Sequence, residues 1–279
     1  MILIADSGST KTNWYYSKHE HHSEIISTGG INPFFRSTED IIEELEKDLI
    51  TKINSTILKI YFYGAGIINK EKGKVVMLAL QKLFPSAKIE VQSDLLAAAR
   101  ALFGNKKGIA CILGTGTNSC LYDGENIVEH IPPLGFILGD EGSGATLGRK
   151  LTSDYFKGIL NENLSQKFQK QFPIKYAEFM ECVYKKEKPN KFLAQFVPFL
   201  TENINDKYCS SLVENSFVEF VDRNVKYYTN FNELEISFIG SVAYFFNKQI
   251  KTVIDKNNLR LGTILQEPLS ALAQYHINN

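Results

Sequence analysis

The sequence predicts an α/β protein of two similar lobes, and three observations carry that prediction. Strand-like and helix-like segments alternate from Leu58 to Gly104, the order that gives parallel strand pairing beneath helices. The chain opens with an apolar strand, a Gly/Ser/Thr turn and a second apolar strand, MILIADSGSTKTNWYYS. The same order returns from Ala110 as ACILGTGTNSCLYDG. A length of 279 residues accommodates two domains. They are expected at 1–107 and 108–267, with a helical insertion at 152–230 in the second and a terminal helix from 268 returning to the first.

Met1 to Ala5 reads as a central buried strand that stops at Asp6. Asn13 to Ser17 and Ile25 to Gly30 read as two further strands, an antiparallel start of three. His19, Glu20, His21 and His22 between them form a metal site or, more plainly, a polar hairpin tip. Thr28 to Pro33, TGGINP, is a turn in which Asn32 presents an amide to a ligand hydroxyl or simply precedes proline. Ser37 or Thr38, followed by glutamates, starts a helix that runs to Ile50. Leu58 to Tyr63 is a strand closed by Gly64-Ala65-Gly66. Lys70 to Phe84 is a helix, Ala87 to Val91 a strand, and LLAAARALFG a helix stopped by Gly104. Asp94 stands between that strand and that helix, where open α/β sheets place ligands. An N-cap aspartate is the competing account.

Ile109 to Leu113 is the central strand of the second lobe, and it runs straight into Gly-Thr-Gly-Thr-Asn. Glycine lets backbone N–H groups approach an anion with no Cβ in the way, so the turn holds a phosphate or is an ordinary hairpin. Leu121 to Asn126 turns into a strand at Ile127 to Ile131, broken by Pro132 and Pro133. LGFILGDEGS then leads into a helix start, GATLGRK. Asp140 and Glu141 suit the dipole of that helix, whereas Gly139 and Gly142 beside them point to close packing against a ligand. Residues 152–230 read as helical core, with amphipathic runs near Phe192 to Leu200 and Ser211 to Tyr228, a boundary at Pro189-Asn190 and no chemistry. Leu234 to Ile239 is the last clear strand. Gly240-Ser241-Val242-Ala243 follows it, and there an adenosine could lie against the backbone. Pro268 to Tyr275 is the terminal helix.

Lys+Arg and Asp+Glu both number 31, so nothing supports a nucleic-acid or membrane-surface partner. The apolar runs are far shorter than a membrane span. No basic segment precedes Asp6, so a secretory signal is not expected. Cys111, Cys120, Cys182 and Cys209 lack CxxC spacing, which leads to the expectation of a cytoplasmic protein without a disulfide or metal framework.

Two phosphate turns, an aspartate at a strand–helix junction and a third glycine turn make a coherent ATP site. Phosphoryl transfer needs positioning, charge neutralisation and one base for the acceptor hydroxyl. Backbone N–H groups over Ser7 to Thr12 (Gly8, Ser9, Thr10, Lys11 and Thr12 above all) and over Gly114 to Asn118 (Gly114, Thr115, Gly116 and Thr117) would grip phosphates. Lys11 adds a point charge. Asp6 would hold Mg²⁺ through water, since that ion dehydrates reluctantly. Asp94 would take the proton of a substrate hydroxyl. Neither GxxxxGK[ST] nor GxGxxG after a strand is present.

DSGSTKT, GTGTNS, LGDEGSG and the late GSVA, in this order, resemble the sugar-kinase/Hsp70/actin superfamily. Within it they are similar to the BadF/BadG/BcrA/BcrD ATPase family, and in particular to its N-acetylglucosamine kinase branch. The resemblance spans nearly the whole chain and is weakest in 152–230. It implies two ribonuclease H-like domains with ATP in the cleft between them and Asp94 as catalytic base. It places Asn32 on the sugar, Thr115 and Asp140 on sugar hydroxyls or the N-acetyl group, and Gly240 and Ser241 on adenosine. These kinases often carry Trp-Gly ahead of GDEGS. Here the pair is Leu134-Gly135, so Gly135 is matched and the aromatic is missing or replaced by Phe136. The implied activity is ATP-dependent phosphorylation of the 6-hydroxyl of an N-acetylated amino sugar, by an enzyme of a kind that is often dimeric. The alternatives are an ATPase that activates a radical dehydratase, which would need cysteines bridging an iron–sulfur cluster, and a sugar sensor without catalysis.

Overall fold

The computed structural model describes residues 1–8, 10–19 and 22–278. Ser9, Glu20, His21 and Asn279 lie outside the described residues, and with them one expected phosphate ligand and half of the His/Glu cluster. Contacts divide the chain into two compact units, Met1–Asn105 with Glu267–Asn279, and Lys106–Gln266.

In the first unit β1 (Ile2–Ser7), β2 (Lys11–His19) and β3 (His22–Gly29) form an antiparallel meander. Helix α1 (Thr38–Asp48) follows, then β4 (Lys59–Gly64), α2 (Lys70–Leu83), β5 (Lys88–Ser93) and α3 (Asp94–Phe103). β4 pairs parallel with β1, and β5 parallel with β4, which gives the strand order β3-β2-β1-β4-β5. The start of α1 is a capping box: the Ser37 hydroxyl accepts from the Asp40 amide while the Asp40 carboxylate accepts from the Ser37 amide. Alternation along β1 sends Leu3 and Ala5 into one core with Trp14, Phe62, Ile41 and Val76, and Ile4 into another.

In the second unit β6 (Gly108–Leu113), β7 (Thr117–Tyr122) and β8 (Ile127–His130) form another antiparallel meander. Helices α4 (Gly135–Leu138), α5 (Gly144–Phe156), α6 (Glu162–Gln171), α7 (Tyr176–Tyr184), α8 (Pro189–Ala194), α9 (Val197–Glu202) and α10 (Lys207–Arg223) come next. Then follow β9 (Glu235–Ile239), α11 (Ser241–Phe245), α12 (Asn247–Lys256) and β10 (Arg260–Leu265), before α13 (Leu269–Asn278) rejoins the first unit. The strand order is β10-β9-β6-β7-β8, with β6-β9 and β9-β10 parallel. Numbered within its own unit, each sheet therefore has the same order, 3-2-1-4-5. The repeat seen in the sequence as two turns is a repeat of whole sheet topology.

One strand corrects the sequence reading. β9 is not the last; β10 lies at the sheet edge, has a register irregularity between Leu261 and Ile264, and keeps no fully buried residue. An edge strand that contains a glycine and a bulge loses the alternation by which strands are recognised.

Helix α13 packs on α3, β1 and β2. Leu269, Leu272 and Ala273 join Ile4, Tyr63 and Ala97 in the second core of the first unit. At its end the ring of His276 stacks on Tyr61 at 3.6 Å and its Nε2 lies 2.7 Å from the Tyr63 hydroxyl. Arg100 donates to that hydroxyl at 2.6 Å and to Glu90 at 2.7 Å. Burial first, and the Arg100 charge second, push the His276 pKa down to about 4. A histidine that must stay neutral to pack destabilises the fold as pH falls from its unfolded value near 6.5 to about 4, and costs nothing above. His276→Gln is expected to lower the thermal midpoint at pH 7.5 and to flatten the acid limb between pH 6.5 and 4, measured against the native protein in the same buffers.

Candidate functional site

The parallel strands of the first unit end level with one another, Ser7 opposite Gly64 and Gly64 opposite Ser93. Asp6 is therefore one residue inside that edge and Asp94 one residue beyond it, at the carboxyl end of the sheet. Asp94 does not cap α3. The cap is Ser93, whose hydroxyl accepts from the Leu96 amide, and Asp94 is the first helical residue. The competing N-cap account thus belongs to the neighbouring serine. Burial raises the Asp94 pKa, and the amides of Leu95 and Asp94 oppose it. Burial also raises Asp6, to about 7, helped by the charges of Asp94 and then Glu267. Glu267 had no signal in the sequence, because only the return of the chain into α13 brings its charge near Asp6.

The turn after β1 is a tight hairpin in which the Gly8 amide donates to the Lys11 carbonyl at 2.9 Å. That amide is spent, contrary to the expectation that it would grip phosphate, while Gly8, Thr10 and Lys11 stay exposed. The Thr12 hydroxyl is fully buried and donates to the Gly29 carbonyl at 2.9 Å, so it faces the Thr28–Pro33 loop instead of a phosphate. Asn32 is buried, and its side-chain carbonyl accepts from the Phe34 amide at 3.0 Å. Gly66 lies directly against it; a Cβ there would stand 2.4 Å from Asn32 Oδ1.

In the second unit the glycine turn joins β6 to β7, closed by the Gly114 amide on the Gly116 carbonyl at 2.9 Å. The Thr117 amide donates to Asp140 Oδ1 at 3.1 Å. Both amides are thereby removed from the expected phosphate grip, which leaves those of Thr115 and Gly116 at the tip. The carbonyls of Gly114 and Thr115 accept from Gly144 and Ala145, locking the turn onto the start of α5. Asp140 has a φ of 54° and is buried, and its pKa is raised by that burial against the opposing Thr117 bonds.

Ser143 caps α5, so Asp140 and Glu141 precede the helix and the dipole account of them fails. Glu141 instead pairs with Arg223 at 3.0 Å. The flanking glycines pack against protein, not ligand: a Cβ on Gly139 would lie 2.1 Å from the Pro133 carbonyl, and one on Gly142 would press on Phe217 and Phe220. Gly135, in contrast, is exposed with open space around its Cα. Leu134 beside it is exposed, and Phe136 packs on the core of this unit, so it does not supply the absent aromatic.

Gly240 ends β9 at a φ of 119°, and a Cβ there would sit 2.4 Å from the Leu113 carbonyl. Only glycine lets the end of β9 lie directly on the Gly114 turn. Above that floor is a cavity of about 380 Å³ lined by Gly114, Thr115, Gly144, Ser241, Phe245 and, from α8 and α9, Ala194, Val197, Pro198 and Thr201. The helical block read as bare core thus builds a wall of this cavity. Phe245 lines it while 56% exposed.

Cys111 and Cys120 are buried on β6 and β7, and burial pushes the Cys120 thiol up to about 12 and Cys111 up as well. Neutral buried thiols are poor cluster ligands. Among the described residues, no group of three or more His, Cys, Asp or Glu side chains is placed to hold a metal ion, and no helix is long and apolar enough to cross a membrane.

No protein-family model and no curated protein matches the chain. Among solved structures it is similar to one from Porphyromonas gingivalis named "Putative N-acetylglucosamine Kinase", at 45% identity over 100% of this chain and 99% of that one, with a TM-score of 0.95. A protein of the same name from Chromobacterium violaceum matches at 14% identity and TM-score 0.69 over 98% of both chains. A non-polymerising mutant of MamK bound to AMPPNP matches at 12% identity and TM-score 0.52, over 99% of this chain and 97% of that one. The two distant likenesses speak for fold alone, and the fold is the two-domain, actin-like ATPase architecture with a five-stranded sheet in each domain.

Proposed function

Because the chain belongs to the family of the Porphyromonas gingivalis protein named "Putative N-acetylglucosamine Kinase", we propose that it is an ATP-dependent kinase that phosphorylates the 6-hydroxyl of N-acetylglucosamine. The observation that carries this reading is the pair of acids at the sheet edge of the first unit. Asp6 and Asp94 stand together at the carboxyl end of its sheet, both with raised proton affinity and neither used to cap a helix.

A carboxylate whose pKa is lifted toward neutrality is a better general base than one at its ordinary value. In this reading Asp94 accepts the proton of the attacking sugar hydroxyl as that oxygen bonds to the γ-phosphorus and ADP leaves. Asn32 and Asp140 orient the sugar, and the Thr115 hydroxyl or amide assists them. Thr10, Lys11, Thr115 and Gly116 bind phosphate. The residues present fit Mg²⁺: Asp6 is a carboxylate crowded by two other acids, and one carboxylate plus water is an ordinary Mg²⁺ donor set. Bound there with ATP, the ion would neutralise phosphate charge.

The 380 Å³ cavity of the second unit is of a size and apolarity suited to a purine nucleoside. Ser241 and Gly114 line it, Gly240 packs against the Leu113 carbonyl next to them, and Phe245 offers an exposed ring for the base to stack on. Aromatic stacking contributes roughly 0.5–1.5 kcal/mol beyond burial. Phe245→Ala is therefore expected to raise KM for ATP about 3- to 10-fold with kcat little changed, in steady-state assays at saturating sugar.

The reading is tested by coupled ADP release over N-acetylglucosamine, N-acetylmannosamine, N-acetylmuramic acid, glucosamine and glucose. Turnover highest with N-acetylglucosamine, with the phosphate on C6 by NMR, supports it. Absence of turnover with every N-acetylhexosamine sinks it.

A further inference from the structure

Two hydroxyls flank the turn after β1, and both face the loop that carries Asn32. Ser7 stands immediately before that turn and Thr12 closes it, the two residues paired across the β1–β2 ladder. Both are buried, to 1% and 0% exposure. The Ile31 amide donates to Ser7 Oγ at 3.0 Å, the two hydroxyl oxygens are 2.7 Å apart, and Thr12 Oγ1 is 2.9 Å from the Gly29 carbonyl. Giving the Thr12 proton to Gly29 leaves Ser7 to donate to Thr12. One directed chain then runs from Ile31 through both hydroxyls to Gly29. Ser7 Oγ is also 3.1 Å from the Ile31 carbonyl, a competing acceptor for its single proton, so in the directed chain residue 31 is held through its amide.

Each end of the loop is thus tied to one side of the same turn, through links buried at Ser7 and Ile31 and part-buried at Gly29. Hydrogen bonds in such a buried chain polarise one another and break together. A turn that shifts when it closes on an anion must carry the loop with it.

From this geometry we infer that Ser7 and Thr12 are positioning residues that couple nucleotide binding at the Gly8–Lys11 turn to sugar binding at the Gly29–Asn32 loop. The inference rests on the kinase reading for the identity of the two ligands. Neither hydroxyl touches substrate in this account. Their action is to make the affinity of each ligand depend on the other, and by linkage the factor is the same in both directions.

Isothermal titration with N-acetylglucosamine, in the absence and presence of saturating AMPPNP, reads this factor. In the native protein AMPPNP is expected to tighten sugar binding by about fivefold or more. Thr12→Val keeps the shape and removes the hydroxyl, and the ratio should fall toward one. Thr12→Ser restores the hydroxyl and should restore the ratio. Ser7→Ala gives an independent reading should Thr12→Val fail to fold, which thermal melting reports.

A simple structural role would weaken both ligands and leave the ratio intact. That result, or a native ratio of one, overturns the inference and leaves the kinase reading standing. A native protein that binds neither probe overturns the kinase reading and the inference together.

Discussion

Asp94→Asn is expected to lower kcat by about 10²–10⁴-fold, the usual contribution of a positioned general base, while the affinities for sugar and nucleotide stay within a few-fold. The amide has the size and shape of the carboxylate, so the strand–helix junction has no reason to move. Ser93, not Asp94, caps α3, so the substitution does not remove the cap. Asp6 stands on β1, and in the kinase reading its carboxylate is committed to the cation and does not take the substrate proton. The measurement is kcat and KM by coupled ADP release, with sugar binding followed separately by calorimetry. A variant with native kcat removes Asp94 from the base role. A variant that loses sugar affinity and kcat in parallel makes Asp94 a binding group only.

The sheets were legible in the sequence wherever a buried strand ran into glycine and hydroxyl residues. Two such junctions, at Asp6–Gly8 and Leu113–Gly116, mark the central strand of each unit, and both central strands are found there. The walls of the nucleoside-sized cavity were not legible. Val197 and Thr201 belong to an amphipathic helix, and an apolar helix face has one pattern whether it covers a core or an empty chamber. The destination of a hydroxyl was also hidden. Thr12 and Thr117 sit in turns rich in donors, yet the Thr12 hydroxyl and the Thr117 amide are taken by Gly29 and Asp140, partners distant in sequence. Glycines misled for the same reason. Gly139 and Gly142 signal a close approach, but a single chain does not say whether ligand or protein does the approaching.

Asp6→Asn is expected to move activity and stability in opposite directions. The carboxyl of Asp6 has its pKa raised from 3.8 to about 7, first by burial, then by Asp94 and Glu267. A folded-state pKa above the unfolded one means that folding favours the proton. Its stabilising effect is complete below pH 3.8 and is lost as pH rises through about 7. Asparagine mimics the protonated acid at every pH. Thermal midpoints of native protein and variant should therefore coincide near pH 4, separate as the pH rises toward 7 and stay apart above it, the variant melting several degrees higher, since one kcal/mol is worth roughly 2–4 °C for a protein of this size. His276 acts with the opposite sign across the same interval, so the two curves must be compared at each pH and not each against its own maximum. Turnover should meanwhile fall at least about 10²-fold, because a neutral amide oxygen is a much weaker Mg²⁺ donor than a carboxylate. A residue kept only for packing would lose stability on replacement and spare the rate. A site built around repelling carboxylates does the reverse, and an Asp6→Asn protein that melts lower at pH 8 would remove Asp6 from it.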